Sequence, residues 1–238
     1  MSIWQRAAAK LAATVVDALL PQDCFLCGAG SGSALLCAEC AASLPVAPRP
    51  CCPVCALPMP AGEVCGACLR EPPAFDATLA CYIYDFPVDR LVQALKYGGT
   101  LAVAAWLGQA LAGGPPPDAE LILALPLHPR RLRSRGFNQA TEIGRELAKR
   151  LRLPLAHGLA ERAADTAPQA SLPWAQRRRN VRGSFLCRTD LSGKRIAVVD
   201  DVMTTGATLN ELAGALKQAG AARVTNLVAA RTLPYGNA

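Results

Sequence analysis

Aromatic residues make up only 5% of this 238-residue chain, and it has just two histidines, His128 and His157. Few rings mean few stacking platforms, which weighs against a protein built mainly to grip single-stranded bases, although phosphate contacts alone still permit nonspecific binding. No Ser, Cys or His stands in an evident nucleophile setting, so any catalysis would rest on positioning and charge stabilisation. Long apolar runs are absent as well. Residues 1–20 carry Arg6, Lys10 and Asp17 among apolar residues at helical spacing. That stretch is too interrupted for a signal-peptide core and too short to span a bilayer. It reads as an amphipathic helix packing on the module that follows, in a cytoplasmic chain with no membrane span.

Large apolar residues are also scarce between positions 24 and 68, where cysteines replace them. Cys24-x-x-Cys27, nine residues, Cys37-x-x-Cys40 is followed by Cys52-x-x-Cys55, nine residues, Cys65-x-x-Cys68. Each pair lets two thiolates reach one tetrahedral ion from a tight knuckle, and two knuckles complete a four-sulfur site with no open position for chemistry. Two structural Zn2+ ions are therefore expected, each able to contribute about 10–16 kcal/mol of folding free energy where a core is lacking. A disulfide framework is the competing reading and would need an oxidising compartment. Cys51, Cys81 and Cys187 fall outside the repeat and read as small buried apolar residues. Cys51 could stand in for its neighbour Cys52, and a crossed ligand pairing stays open.

The seam between modules falls at Pro72-Pro73, giving an N-terminal helix and double ribbon over 1–71 and an α/β domain over 72–238. With 52% hydrophobic residues, the chain can bury one α/β core of ordinary size beside the metal-held module. Strands are expected at 78–84 and 121–125, and helices at 87–96, 101–111 and 138–151, the last capped by Asn138. Residues 113–117, Gly-Gly-Pro-Pro-Pro, form a turn.

The most informative run is Arg195-Ile-Ala-Val-Val-Asp-Asp-Val-Met-Thr-Thr-Gly-Ala-Thr-Leu209. Its apolar residues show no alternation, as in a strand covered on both faces of a parallel sheet. Asp200 and Asp201 lie at its carboxyl end, the edge where open α/β sheets bind ligands. Thr204, Thr205, Gly206, Ala207 and Thr208 then offer hydroxyls and backbone amides at the start of a helix, a setting suited to a phosphate monoester. A metal site or a helix cap is the plainer use of two acids after a strand, and the Thr-rich loop favours the phosphate.

A second loop, His128-Pro-Arg-Arg-Leu-Arg-Ser-Arg-Gly-Phe-Asn-Gln139, follows the strand at 121–125 and crowds four arginines at the same sheet edge. Guanidinium forks match phosphate oxygens in pairs, so a diphosphate is the natural neutralising partner. Gly136 suggests a tight turn, and Phe137 an anchor fixing Arg135. Arg130 and Arg131 read equally well as a solvated basic rim. Sixteen of the 25 Lys and Arg residues fall between Arg130 and Arg195, which concentrates the positive field over the presumed site.

The 195–209 run resembles the loop that binds 5-phosphoribosyl-1-diphosphate (PRPP) in type I phosphoribosyltransferases. Tandem Cys pairs, Tyr-x-Tyr84, Leu-Lys96, Pro-Leu-His128, Arg-Gly-Phe-Asn-Gln139, Gln169, Arg178-x-Asn180 and the Asp200 loop, in that order, resemble the ComF family. The resemblance implies a type I phosphoribosyltransferase-like parallel sheet flanked by helices, with a small N-terminal zinc-ribbon module. It implies that Asp200 and Asp201 hold ribose hydroxyls, that 204–208 hold the 5-phosphate, and that Mg2+ accompanies PRPP. Arg135 would stabilise the departing diphosphate, aided by Arg131 and Gly136. Lys96 would line the pocket, with an exposed helix-end lysine as the alternative. Residues 161–182, with Arg162, Gln169 and Arg178, would form a loop closing over the ligand. Some purine-specific members carry a further acid where Thr204 stands, so base-assisted attack by a purine is not implied. The family is associated with natural competence and DNA uptake, and a competence helicase partner follows by resemblance. PRPP or a phosphoribosylated small molecule is the expected ligand. The rival is a noncatalytic zinc-ribbon module that binds single-stranded DNA or senses a nucleotide.

Overall fold

The computed structural model describes residues 22–163 and 183–234. The expected N-terminal helix, together with Gln169 and Arg178, lies outside these residues. The chain divides into two compact units, Met1–Leu44 and Pro45–Ala238. In the first, a short antiparallel pair, β1 (Gln22–Asp23) and β2 (Gly30–Gly32), precedes the one-turn helix α1 (Ala38–Ala42). The second unit opens with the other cysteine repeat, whose second half carries α2 (Gly66–Arg70).

A five-stranded parallel sheet then forms. Its elements along the chain begin with β3 (Ala77–Ile83), α3 (Val88–Gly98), α4 (Leu101–Ala112) and β4 (Leu121–Ala124). Next come α5 (Pro129–Arg135), α6 (Gln139–Leu151) and β5 (Leu155–Ala156). The small antiparallel pair β6 (Ala160–Arg162) and β7 (Phe185–Cys187) precedes β8 (Arg195–Met203), α7 (Ala207–Gln218) and β9 (Arg223–Arg231). The spatial order is β3-β9-β8-β4-β5, so β8 is central. Its residues Ile196, Ala197, Val198 and Val199 are all buried, the physical reason for their unbroken apolarity.

Helix faces follow their sequence periods. Val88, Leu91, Val92 and Leu95 turn α3 inward, Ile143 and Leu147 anchor α6, and Leu209, Leu212, Ala213 and Leu216 seat α7. Asn138 caps α6 by accepting the Ala140 N–H at 3.0 Å. Crossovers leave β4 toward β5 and β8 toward β9, in opposite directions from two neighbouring strands. The carboxyl ends of β4 and β8 therefore flank a topological switch point, where sheets of this kind open a ligand crevice.

Two expectations need correction. The arginine run after β4 is a short helix instead of a loop: Pro129 stands at its start and the His128 Nδ1 accepts the Arg130 N–H at 3.3 Å. Arg162, expected in a loop closing over the ligand, belongs to a strand and is buried. Cys51, Cys81 and Cys187 are half-buried, and burial pushes the Cys81 thiol up to about 11.

Candidate functional site

Both sequence-flagged segments reach the switch point. From β4, the chain passes directly into α5 with Arg131 and Arg135, and Gly136 closes that helix at φ 81°, a left-handed conformation glycine adopts without penalty. From β8 come Asp200 and Asp201, followed by the loop 204–208 and the amino end of α7. Gly206 is the N-cap at φ 80°, and a Cβ there would meet Met203 Cε at 2.6 Å. The Ala207 N–H donates to Thr205 Oγ1 at 3.2 Å. The amino end of α7, the positive end of its dipole, directly follows this loop at the carboxyl edge of the sheet.

The acid pair is only 8% and 3% exposed. Lys96 at the end of α3 donates to Asp201 Oδ1 at 2.8 Å, while Asp201 Oδ2 is buried without a hydrogen-bond partner. Asp200 Oδ1 accepts the Asp201 N–H at 2.8 Å. Burial, reinforced by the neighbouring Asp201 charge and only partly countered by Lys96 and Arg162, pushes the Asp200 carboxyl up to about 8. Burial disfavours the Lys96 ammonium, but the Asp201 carboxylate more than offsets this and holds it above its ordinary range. A buried carboxylate oxygen with no donor fits a hydroxyl or a divalent cation. The ion pair with Lys96 also means that such a ligand shares Asp201 with a resident cation.

Arg135 is held differently from expectation. Its guanidinium donates to Gln139 Oε1 at 2.6 Å and lies 5.7 Å from the Tyr97 ring centroid, so Gln139 and Tyr97 fix it where Phe137 was expected to. Tyr97 adjoins Lys96, so one helix end serves both the acid pair and the arginine helix. Arg162 packs over the Phe185 ring at 5.5 Å.

The cysteines form two separate clusters, Cys24, Cys27, Cys37, Cys40 and Cys52, Cys55, Cys65, Cys68. The ligand pairs are uncrossed, and Cys51 belongs to neither. Cys27 and Cys37 sulfurs are 3.8 Å apart, and those of Cys55 and Cys65 3.6 Å. The edge of a tetrahedron with 2.3 Å Zn–S bonds is about 3.8 Å, so both clusters fit a structural zinc ion. Within the first cluster, hydrogen bonding with Cys27 and then Cys37 pushes the Cys40 thiol up to about 12, while backbone hydrogen bonds from Cys27 and Cys37 bring Cys24 down to about 6. The second cluster is fully buried, and its cysteines share one apolar core with Phe75 and Met203.

Comparison with known proteins agrees with this geometry. Residues 15–69 match the double zinc ribbon domain, and residues 138–233 the phosphoribosyl transferase domain. The chain is 33% identical to the DNA utilization protein YhgH of Escherichia coli O157:H7, over 76% of this chain and 84% of that one. It is 30% identical to Competence protein F of Haemophilus influenzae, over 66% and 73% respectively. The chain belongs to the ComF family. Among solved structures, it is similar to the glutamine PRPP amidotransferase of B. subtilis, at 21% identity and a TM-score of 0.38. That likeness covers 52% of this chain and a quarter (25%) of the amidotransferase's length. Within this ComF protein the phosphoribosyl transferase match begins at Asn138, so Lys96, Arg131 and Arg135 precede it and are placed by the fold alone.

Proposed function

We propose that the switch-point crevice binds PRPP, or a nucleoside phosphate, together with Mg2+, and that this phosphoribosyltransferase-like protein serves the handling of incoming DNA. The observation that carries the reading is the buried Asp200-Asp201 pair, with Asp201 Oδ2 lacking a donor, immediately before a Thr-rich loop at a helix amino end. In this reading the amides and hydroxyls of Thr204, Thr205, Gly206, Ala207 and Thr208 take the 5-phosphate, and the two carboxylates take the ribose hydroxyls. Asp200 and Asp201 would hold Mg2+, which supplies charge neutralisation between the diphosphate and the ribose. Arg135, kept in place by Gln139 and Tyr97, faces the leaving diphosphate with Arg131 beside it. Transfer breaks the bond between the anomeric carbon and the diphosphate oxygen, which leaves with the bonding pair. The acceptor's lone pair forms the new bond through an oxocarbenium-like state, and the acceptor then loses its proton. Gln169 and Arg178 are proposed to join the ligand from the basic segment, and Arg162 to act electrostatically from beside Asp200. The relatives' names, DNA utilization protein and Competence protein F, support the DNA connection.

A noncatalytic nucleic-acid module is the second reading, favoured by the sixteen basic residues between Arg130 and Arg195. The test begins with melting temperature. Mg2+ and PRPP raise it in the wild type, and the paired Asp200→Asn, Asp201→Asn change removes the rise. Diphosphate release with a panel of bases, amines and DNA then decides turnover. Ligand binding without release favours the sensor, and DNA affinity that survives the double change places nucleic acid elsewhere.

A further inference from the structure

We propose that the second cysteine cluster, once metal-bound, is a positioning element for the phosphate loop, coupled to it through the buried Arg231. The proposal rests on the reading of 204–208 as a phosphate site. Arg231 ends β9 and is 3% exposed. Its Nε donates to the Cys55 carbonyl at 2.8 Å, in the first knuckle of the cluster. Its Nη1 donates to the carbonyls of Met203 at 3.0 Å, Thr204, and Thr232 at 2.7 Å. One rigid guanidinium thus ties the knuckle to the two carbonyls from which the phosphate loop departs. Its planar fork leaves little freedom for one end to move without the other.

Charge points the same way. A Zn2+ ion with four thiolates carries a net charge of −2, and a buried guanidinium is its natural counterion. Carbonyl partners alone compensate a buried cation poorly.

An apolar route runs in parallel. Met203 Cε lies 2.6 Å from where a Cβ of Gly206 would be and the Phe75 ring 3.7 Å from it, and both residues share the core of Cys52, Cys55, Cys65 and Cys68. Both also line a half-open cavity of about 570 Å³ whose walls include Cys68, Arg70, Thr205, Gly206 and Asn210. The ribbon is therefore one wall of the space beside the loop, and its collapse on metal loss removes that wall.

Coupling between two sites is reciprocal, so occupation of the phosphate loop must tighten the cluster's grip on zinc. The experiment follows zinc release from the full chain to a colorimetric chelator, with and without ribose 5-phosphate, in the wild type, Arg231→Lys and Arg231→Met. Ribose 5-phosphate should slow release of one of the two zinc equivalents about fivefold or more and leave the other unchanged. Arg231→Lys should retain two zinc ions and the wild-type fold, weaken ribose 5-phosphate binding about tenfold, and abolish the ligand-dependent slowing. A purely structural arginine would not link these two readouts. Ribose 5-phosphate that binds the wild type but leaves both release phases unchanged overturns the coupling. So does an Arg231→Lys protein that keeps the ligand-dependent slowing. If Arg231→Met fails to fold, the wild-type and lysine arms still decide. Failure of the wild type to bind ribose 5-phosphate at all refutes the phosphate-loop reading itself, and the coupling with it.

Discussion

Asp200→Asn should make the ligand-free protein more stable while abolishing its ligand response. In the folded protein the Asp200 carboxyl titrates near 8, against an ordinary value of 3.8, because it is buried beside Asp201. Its folded value is raised, so the folded state keeps a proton that the unfolded chain has already lost, and stability falls as pH rises from about 4 to about 8. The roughly three units between the ordinary value and pH 7, at about 1.36 kcal/mol each, bound this penalty near 4 kcal/mol. Relaxation and water entry reduce it, and about 1–2 kcal/mol is the expected gain, or roughly 2–8 °C in melting temperature for a chain of this size. Asparagine keeps the shape and the Oδ1 that accepts the Asp201 N–H. Thermal melts of both proteins from pH 5 to pH 8 provide the assay. The gain should be small at pH 5 and grow toward pH 8. With Mg2+ and PRPP, only the wild type should shift upward. A variant that melts at or below the wild type at pH 7.5, or a gain independent of pH, refutes the reasoning.

Lys96→Met removes the cation from a carboxylate whose side chain is 4% exposed and should lower stability by about 3–5 kcal/mol. The same change in an Asp201→Asn background should cost less than about 1 kcal/mol, a coupling that a double-mutant cycle by denaturant unfolding measures. Ligation of Mg2+ and ribose hydroxyls requires an ionised Asp200, so PRPP binding at pH 7 should release close to one proton. Calorimetry in buffers of different ionisation enthalpy reads that number, and affinity should rise from pH 6 to pH 9. Purified protein should contain about two zinc ions per chain. The cluster with the exposed Cys27 should release its metal before the fully buried one, and Cys27→Ser should remove the faster phase.

Features written locally were legible in the sequence. The uniform apolarity of 196–199 announced a strand covered on both faces, the tandem Cys-x-x-Cys repeats announced two clusters, and Asn138 announced its helix cap. Each reflects neighbours along the chain acting on one another. The helix α5 was not legible, because Arg130, Arg131, Arg133 and Arg135 give it no apolar stripe. Its only signals were Pro129 at its start and Gly136 at its end. Contacts distant in sequence were harder still. Arg231 meets the Cys55 carbonyl across 176 positions, and nothing around it in a buried strand distinguishes its role from an edge arginine. Lys96 was brought in by family resemblance, and its partner emerged only with the fold, which brings the end of α3 to Asp201 on β8. Gln139 was visible within its motif, yet its hydrogen bond to Arg135 depends on the turn at Gly136 bringing α5 and α6 end to end.

The most direct measurement is isothermal titration of Mg2+-PRPP into the full-length zinc-loaded protein and into its Asp200→Asn, Asp201→Asn variant. The account predicts one saturable site per chain in the wild type and none in the variant. Absence of binding to the wild type, or equal binding to both proteins, would contradict it.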